Sequence, residues 1–177
     1  MSDHKIYSRV NKPEFVLPKY EEIPGVGLFL EQVSKYINEY LAPLHEAELT
    51  GSMISNYVKK DIIDNPVKKQ YGREQIATLI FIAVAKIVLS LEDINELLQL
   101  QRQVCDTQTA YNYFREEFPK VLEAVFDNRE LAVVPETSES DIANIKRLCR
   151  NVSITTAYKI YLDMSFANHR SAEATNK

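Results

Sequence analysis

Ser52, Ser55, Asn56 and Lys59 recur at steps of i, i+3, i+4 and i+7, a spacing that gathers four side chains on one face of a helix. Their chemistry is hydrogen bonding rather than bond making. An Asn amide donates and accepts at once, so it suits the edge of an adenine, while Ser and Lys reach base edges or phosphates. No acid interrupts the face. A short distance on, Lys68 and Lys69 follow the turn formers Asp64, Asn65 and Pro66, which places two cations on an exposed tip. Alone, the polar face reads equally well as the solvated side of a surface helix, and the lysines as a solvated turn. In tandem, and flanked by Lys60 and Arg73, they fit a surface that reads base edges with a helix and holds phosphates with a wing.

The elements that must position these groups follow from periodicity. Leu30, Val33, Ile37 and Leu41 form one apolar stripe, predicting a helix from near Gly27 that Pro43 ends or kinks. Thr50 or Ser52 caps the next helix, whose buried face is Ile54, Tyr57, Val58 and Ile62. Glu74 to Leu89 is apolar on most sides, with Ile76, Leu79, Ile80, Ala83, Val84, Ile87 and Val88 inward, and should be the centre of the core. Ser90-Leu91-Glu92-Asp93 then starts a capped helix carrying Leu91, Ile94, Leu97 and Leu98. Before all of these, residues 1–26 carry Pro13, Pro18 and Pro24 and read as an irregular arm in which Phe15, Val16, Leu17 and Tyr20 pack on the body.

Composition narrows the classes. The 177 residues fit one domain, or one small domain with a helical extension, and 45% hydrophobic content suffices for a core. Four glycines and the helical spacing favour an all-α protein. Cys105 and Cys149 cannot make a disulfide framework and are expected as reduced thiols. No apolar leader opens the chain, and Ile76–Leu89 is too short for a membrane span, so the expected location is cytoplasmic, without membrane contact. His4, His45 and His169 are scattered, with no zinc spacing. No Gly-rich phosphate loop or nucleophile elbow occurs, so neither catalytic residues, metal nor cofactor is expected. Net charge is −4, which argues against nucleic acid until its distribution is read. Residues 49–75 hold five basic and three acidic residues, against 16 and 22 in the remainder.

The stretch from Leu49 to Leu100 resembles the DNA-binding domain of MerR-type transcription regulators. SMISNYVKKDII is similar to that family's recognition helix, with Ile54, Tyr57, Ile62 and Ile63 in matching places. Tyr71 matches the aromatic that closes the wing, REQIATLIFIAVAK the helix after it, and LSLEDINELLQL the helix beyond. The chain as a whole most resembles an uncharacterised bacterial family built on this domain. The resemblance implies an all-α, MerR-like winged helix-turn-helix over residues 27–103 that binds double-stranded DNA as a sequence-specific regulator. Its DNA-contacting set would be Ser52, Ser55, Asn56, Tyr57, Lys59, Lys60, Lys68, Lys69 and Arg73. Ser55-Asn56 replaces the usual Arg-Tyr pair, Lys68-Lys69 the usual Gly-Tyr-Arg run, and Asp61 the glycine that ends the recognition helix in left-handed geometry. Those departures keep open an alternative: a helical protein-interaction module derived from a helix-turn-helix, without DNA binding.

Residues 104–168 form a C-terminal helical region. Tyr111, Phe114, Phe118, Val121, Leu122 and Val125 make one stripe, with Pro119 starting a new turn or kinking the helix. A loop is expected over 128–140, and then a last helix, capped by Ser138 or Ser140, carrying Ile142, Ile145, Leu148, Val152 and later Tyr158, Tyr161 and Leu162. This region either closes the core of a monomer or pairs two copies into a homodimer, and the two-fold symmetry of DNA readers favours pairing. Tyr111, Tyr113 and Phe114 are core by spacing, though they also suit a ligand pocket, and the identity of any small-molecule effector is not legible. Residues 169–177 read as a flexible tail.

Overall fold

A stretch with apolar residues on every side has to be wrapped by the rest of the chain, and residues 73–85 are so wrapped. The computed structural model describes residues 10–45, 48–132 and 140–175. Among them the elements run β1 (Leu28–Phe29), α1 (Leu30–Leu41), α2 (Gly51–Lys59), β2 (Gln70–Tyr71), α3 (Arg73–Ala85), α4 (Leu91–Val104), α5 (Thr107–Phe126) and α6 (Asp141–Thr175). The protein is thus mainly α-helical, with one two-stranded antiparallel sheet in which Leu28 pairs with Tyr71 and Phe29 with Gln70.

α3 buries Ile76, Ala77, Leu79, Ile80, Ile82, Ala83, Val84 and Ala85, and α1, α5 and α6 all pack against it. The helix stops at Ala85, earlier than the apolar run suggests. Its last turn tightens into i→i+3 bonds from Ile87 and Val88, and Lys86 turns its ammonium onto the Glu48 carbonyl. Ile87 and Val88 are consequently half-buried. Ser90 caps α4 as expected, accepting the Asp93 amide at 3.1 Å while donating to the Asp93 carboxylate at 2.6 Å.

The N-terminal arm is irregular apart from one 3-10 turn over Tyr20–Glu22. Phe15, Leu17, Tyr20 and Ile23 are buried, whereas Val16 is 73% exposed. Tyr111 of α5 ties the arm down by donating to the Pro18 carbonyl at 2.9 Å. Residues 1–9 of the expected arm lie outside the described residues.

The second half differs most from the sequence reading. α5 is one helix with Pro119 inside it. α6 is a single 35-residue helix reaching Thr175, so residues 169–175 are helical rather than a tail; their Ala, Glu and Arg content supports helix. The large apolar residues of α6 divide between two faces: Val152 and Tyr161 pack against the core, and others face outward. Leu148, Tyr158 and Leu162 are 42%, 50% and 45% exposed, and Ile142 is exposed as well. Cys149, Ser153, Thr156, Ala157 and Ile160 are buried instead. Small side chains let α6 lie close along α5, and Ser153 returns its hydroxyl to the Cys149 carbonyl at 2.9 Å. Arg150 locks the pair through Glu117 of α5 and the Ala132 carbonyl at 2.6 Å. One continuous core runs from Val10 to Ile160 and joins both halves. Most of the loop expected over 128–140, residues 133–139, lies outside the described residues. No described helix is long and apolar enough to cross a membrane.

Candidate nucleic-acid interface

α2 begins where Thr50 accepts the Met53 amide at 3.2 Å, and the sequence before it fixes how the helix is presented. Asn38 of α1 both donates to the Leu49 carbonyl at 2.9 Å and accepts the Leu49 amide at 2.8 Å, and Ser34 adds a third bond at 2.6 Å. The turn between α1 and α2 is therefore pinned from α1. Neither Asn38 nor Ser34 was singled out by sequence, because a polar residue on a helix carries no sign of which distant backbone it will meet.

With α2 so held, Ile54 and Tyr57 are buried and Ser52, Ser55, Asn56 and Lys59 are all exposed on the other side. The expected polar face exists. Tyr57 does not belong to it: its ring is 4% exposed in the core, and burial pushes its phenol pKa up, so it supports the helix rather than contacting a ligand. Lys60 follows at the helix end, exposed. The helix closes in a Schellman arrangement, with the Ile62 amide on the Tyr57 carbonyl and the Asp61 amide on the Val58 carbonyl, both at 3.0 Å. Asp61 stands at φ 56°, the left-handed position that glycine usually fills. Asp61→Gly is expected to raise stability by about 1 kcal/mol, read as a higher urea midpoint at an unchanged slope.

The basic turn is a true hairpin. Val67 and Gln70 exchange backbone bonds at 3.0 and 2.9 Å, and the two residues between them, Lys68 and Lys69, take φ 51° and 64°. Both central residues at positive φ define the turn type that normally requires Asn-Gly. Both ammonium groups are exposed and, among the described residues, unpaired with any carboxylate. The hairpin is seated through β2 on β1, where Gly27 is needed: a Cβ there would stand 2.6 Å from Gln70 Cβ. Its base is held by Gln75, which donates to the Asp64 carbonyl at 2.8 Å and accepts the Gly72 amide at 2.7 Å. Arg102 of α4 reaches the Ile62 carbonyl at 2.8 Å, so the segment joining α2 to the hairpin is fixed at both ends.

Arg73 departs from its expected role. Its guanidinium donates to the Ile23 carbonyl at 2.8 Å and the Glu21 carbonyl at 3.3 Å, and lies 5.7 Å from the Tyr20 ring centroid. It straps the arm to α3 and is spent on that task. Among the described residues, the cations of this surface without a carboxylate partner are Lys59, Lys60, Lys68 and Lys69.

All of these residues fall within one matched segment. Residues 18–114 match a family described as "Domain of unknown function (DUF1836)". The chain belongs to the DUF1836 family. No curated protein matches it, and no solved structure does. The DUF1836 segment runs from the second half of the arm through α1, α2, the hairpin, α3 and α4 into α5. The helix α6 lies beyond it.

Proposed function

We propose that the DUF1836 segment of this chain is a MerR-like winged helix-turn-helix that binds double-stranded DNA sequence-specifically, and that the protein regulates transcription. In this reading α1 and α2 are the helix-turn-helix, α2 enters the major groove, and the 67–70 hairpin is the wing. Asn56 reads a base edge, Ser52, Ser55 and Lys59 contact bases or phosphates, and Lys60, Lys68 and Lys69 hold the backbone. The observation that carries the reading is the wing turn. Two lysines sit side by side in left-handed conformations that cost each of them roughly 1 kcal/mol, on a tip where Asn-Gly would fold more easily. Backbone strain of this kind gathers at functional positions, and what these two residues offer in return is adjacent, exposed positive charge.

A homodimer completes the reading. Leu148, Tyr158, Leu162 and Phe166 leave an exposed apolar stripe on α6 that covers about 27 Å of helix. A second copy of α6 lying along it would give the two-fold symmetry that pairs two recognition helices with two half-sites.

One observation favours a second reading, a protein-interaction module. Phe29 of β1 and Val67 of the hairpin are 51% and 74% exposed, and apolar groups beside a basic turn suit a protein partner better than a phosphate backbone. The deciding experiment incubates the purified chain with fragmented genomic DNA at about 0.15 M salt, where exposed charges are already screened. Sequencing of retained fragments should show a shared inverted site. Folded protein that retains no fragment would sink the DNA reading and direct the search to protein partners.

A further inference from the structure

Away from the polar face, α3, α4, α5 and α6 leave an open-mouthed pocket with a cavity volume of about 60 Å³, several times what a single water needs. Its walls are apolar: Phe81 from α3, Leu98 from α4, Phe114 from α5 and Ile145 from α6. The two cysteines, 44 positions apart in sequence, both line it. Cys149 is buried, and desolvation pushes its thiol up to about 12, so it presents an uncharged, polarisable wall. Cys105 is half-buried at the end of α4. No Asp or Glu lines the pocket among the described residues, and its only cationic side chain is Lys146. That ammonium is exposed, 5.4 Å from the Tyr113 ring centroid, with no carboxylate partner among the described residues.

We propose that this pocket binds a small aromatic carboxylate, its ring against Phe81 and Phe114 and its carboxylate on Lys146. The walls supply dispersion and burial to a flat apolar body. The lone cation supplies the charge preference, and the absence of acid in the lining leaves nothing to favour a cationic ligand. The occupant would bridge α3 and α4, which belong to the DUF1836 segment, to α6, which does not. It would thereby tighten the seat of α6 on the body. None of this depends on DNA binding.

The test uses the full chain with 2-naphthoate as the probe and 2-naphthylmethylamine as its cationic counterpart, without DNA. Ellman's reagent reports on Cys105, since Cys149 is protonated and buried, and Cys105→Ser identifies the signal. Millimolar 2-naphthoate is expected to slow labelling of Cys105 and to raise Tm, and the amine to do so more weakly. Lys146→Ala should weaken naphthoate by up to about fivefold, the scale of an exposed ion pair, and leave the amine's effect unchanged. Ala110→Phe, which fills the pocket, should abolish protection. Naphthoate that neither protects Cys105 nor raises Tm in the wild-type chain overturns the proposal, and that measurement stands even where the filled variant fails to fold. Equal protection by acid and amine, or undiminished binding to folded Ala110→Phe, overturns it as well.

Discussion

Replacing Lys68-Lys69 by Asn-Gly is expected to make the protein more stable and a poorer DNA binder at the same time. Asn and Gly relieve two left-handed lysines, each of which costs roughly 1 kcal/mol, although the added glycine returns part of that gain by loosening the unfolded chain. The net expectation is a stabilisation of about 1 kcal/mol. On the proposed reading, DNA loses two phosphate contacts. At about 0.9 counterions per contact, the slope of log affinity against log salt should fall by about 1.8, which is about a thirtyfold weaker complex near 0.15 M salt. The loss should be the same on every sequence, because phosphates carry no sequence information. Asn56→Ala gives the contrast: the salt slope holds, while preference at one base step relaxes. Fluorescence anisotropy across a salt series, on an enriched site and on a scrambled one, reads all three quantities. Because stability rises, weakened binding cannot be blamed on unfolding. An unchanged slope would remove the hairpin from the interface and favour the protein-interaction reading, in which the exposed Phe29 and Val67 matter more than the lysines.

The boundaries of α1, α2 and α4 and the centrality of α3 were legible because each rests on a local signal: a stripe at helical spacing, a capping Thr or Ser, or an uninterrupted apolar run. The left-handed Asp61 was legible through the resemblance alone, which set it where a glycine closes the recognition helix. What was not legible is long-range. Arg73 was read as a phosphate contact because exposed arginine beside lysines usually is, yet its partners are carbonyls 50 and 52 positions earlier. Tyr57 was credited to a contact set by its position in a resembling motif, although its own spacing with Ile54 already placed it inward. On α6 the large apolar residues were read as one set, with closure of the core and pairing of two copies both left open. The structure divides them: Ile160 is buried together with Cys149, Ser153, Thr156 and Ala157, while Leu148, Tyr158 and Leu162 turn outward. That reading left the outward apolar stripe unseen, since it depends on which way α6 is turned, whereas the pocket was legible in part: Tyr111, Tyr113 and Phe114, read as core that also suits a ligand pocket, all line it.

That dependence makes Phe118 the position where the fold is most exposed to a single change. Phe118 is fully buried. It meets Phe15 of the arm edge-on at 5.4 Å and stacks on Phe114 at 5.4 Å, and Phe114 in turn meets Phe81 of α3 edge-on at 5.2 Å. Four rings thus run from the arm through α5 to α3. Phe118→Ala is expected to cost about 3–5 kcal/mol, lowering Tm by roughly 6–20 °C for a chain of this size. That is a large part of the 5–15 kcal/mol typical of whole proteins. The loss should be uneven: with its ring partner gone, Phe15 has less to hold it, and the arm should become cleavable by a protease before the helices melt. Below the transition, the DNA binding proposed above should persist, because α2 and the hairpin are pinned from α1, Gln75 and Arg102 rather than from α5. Circular dichroism melts, limited proteolysis and anisotropy on one preparation separate these outcomes. A small loss of stability, under about 1 kcal/mol, would mean the site collapses around the missing ring and that the four rings act separately rather than as one unit.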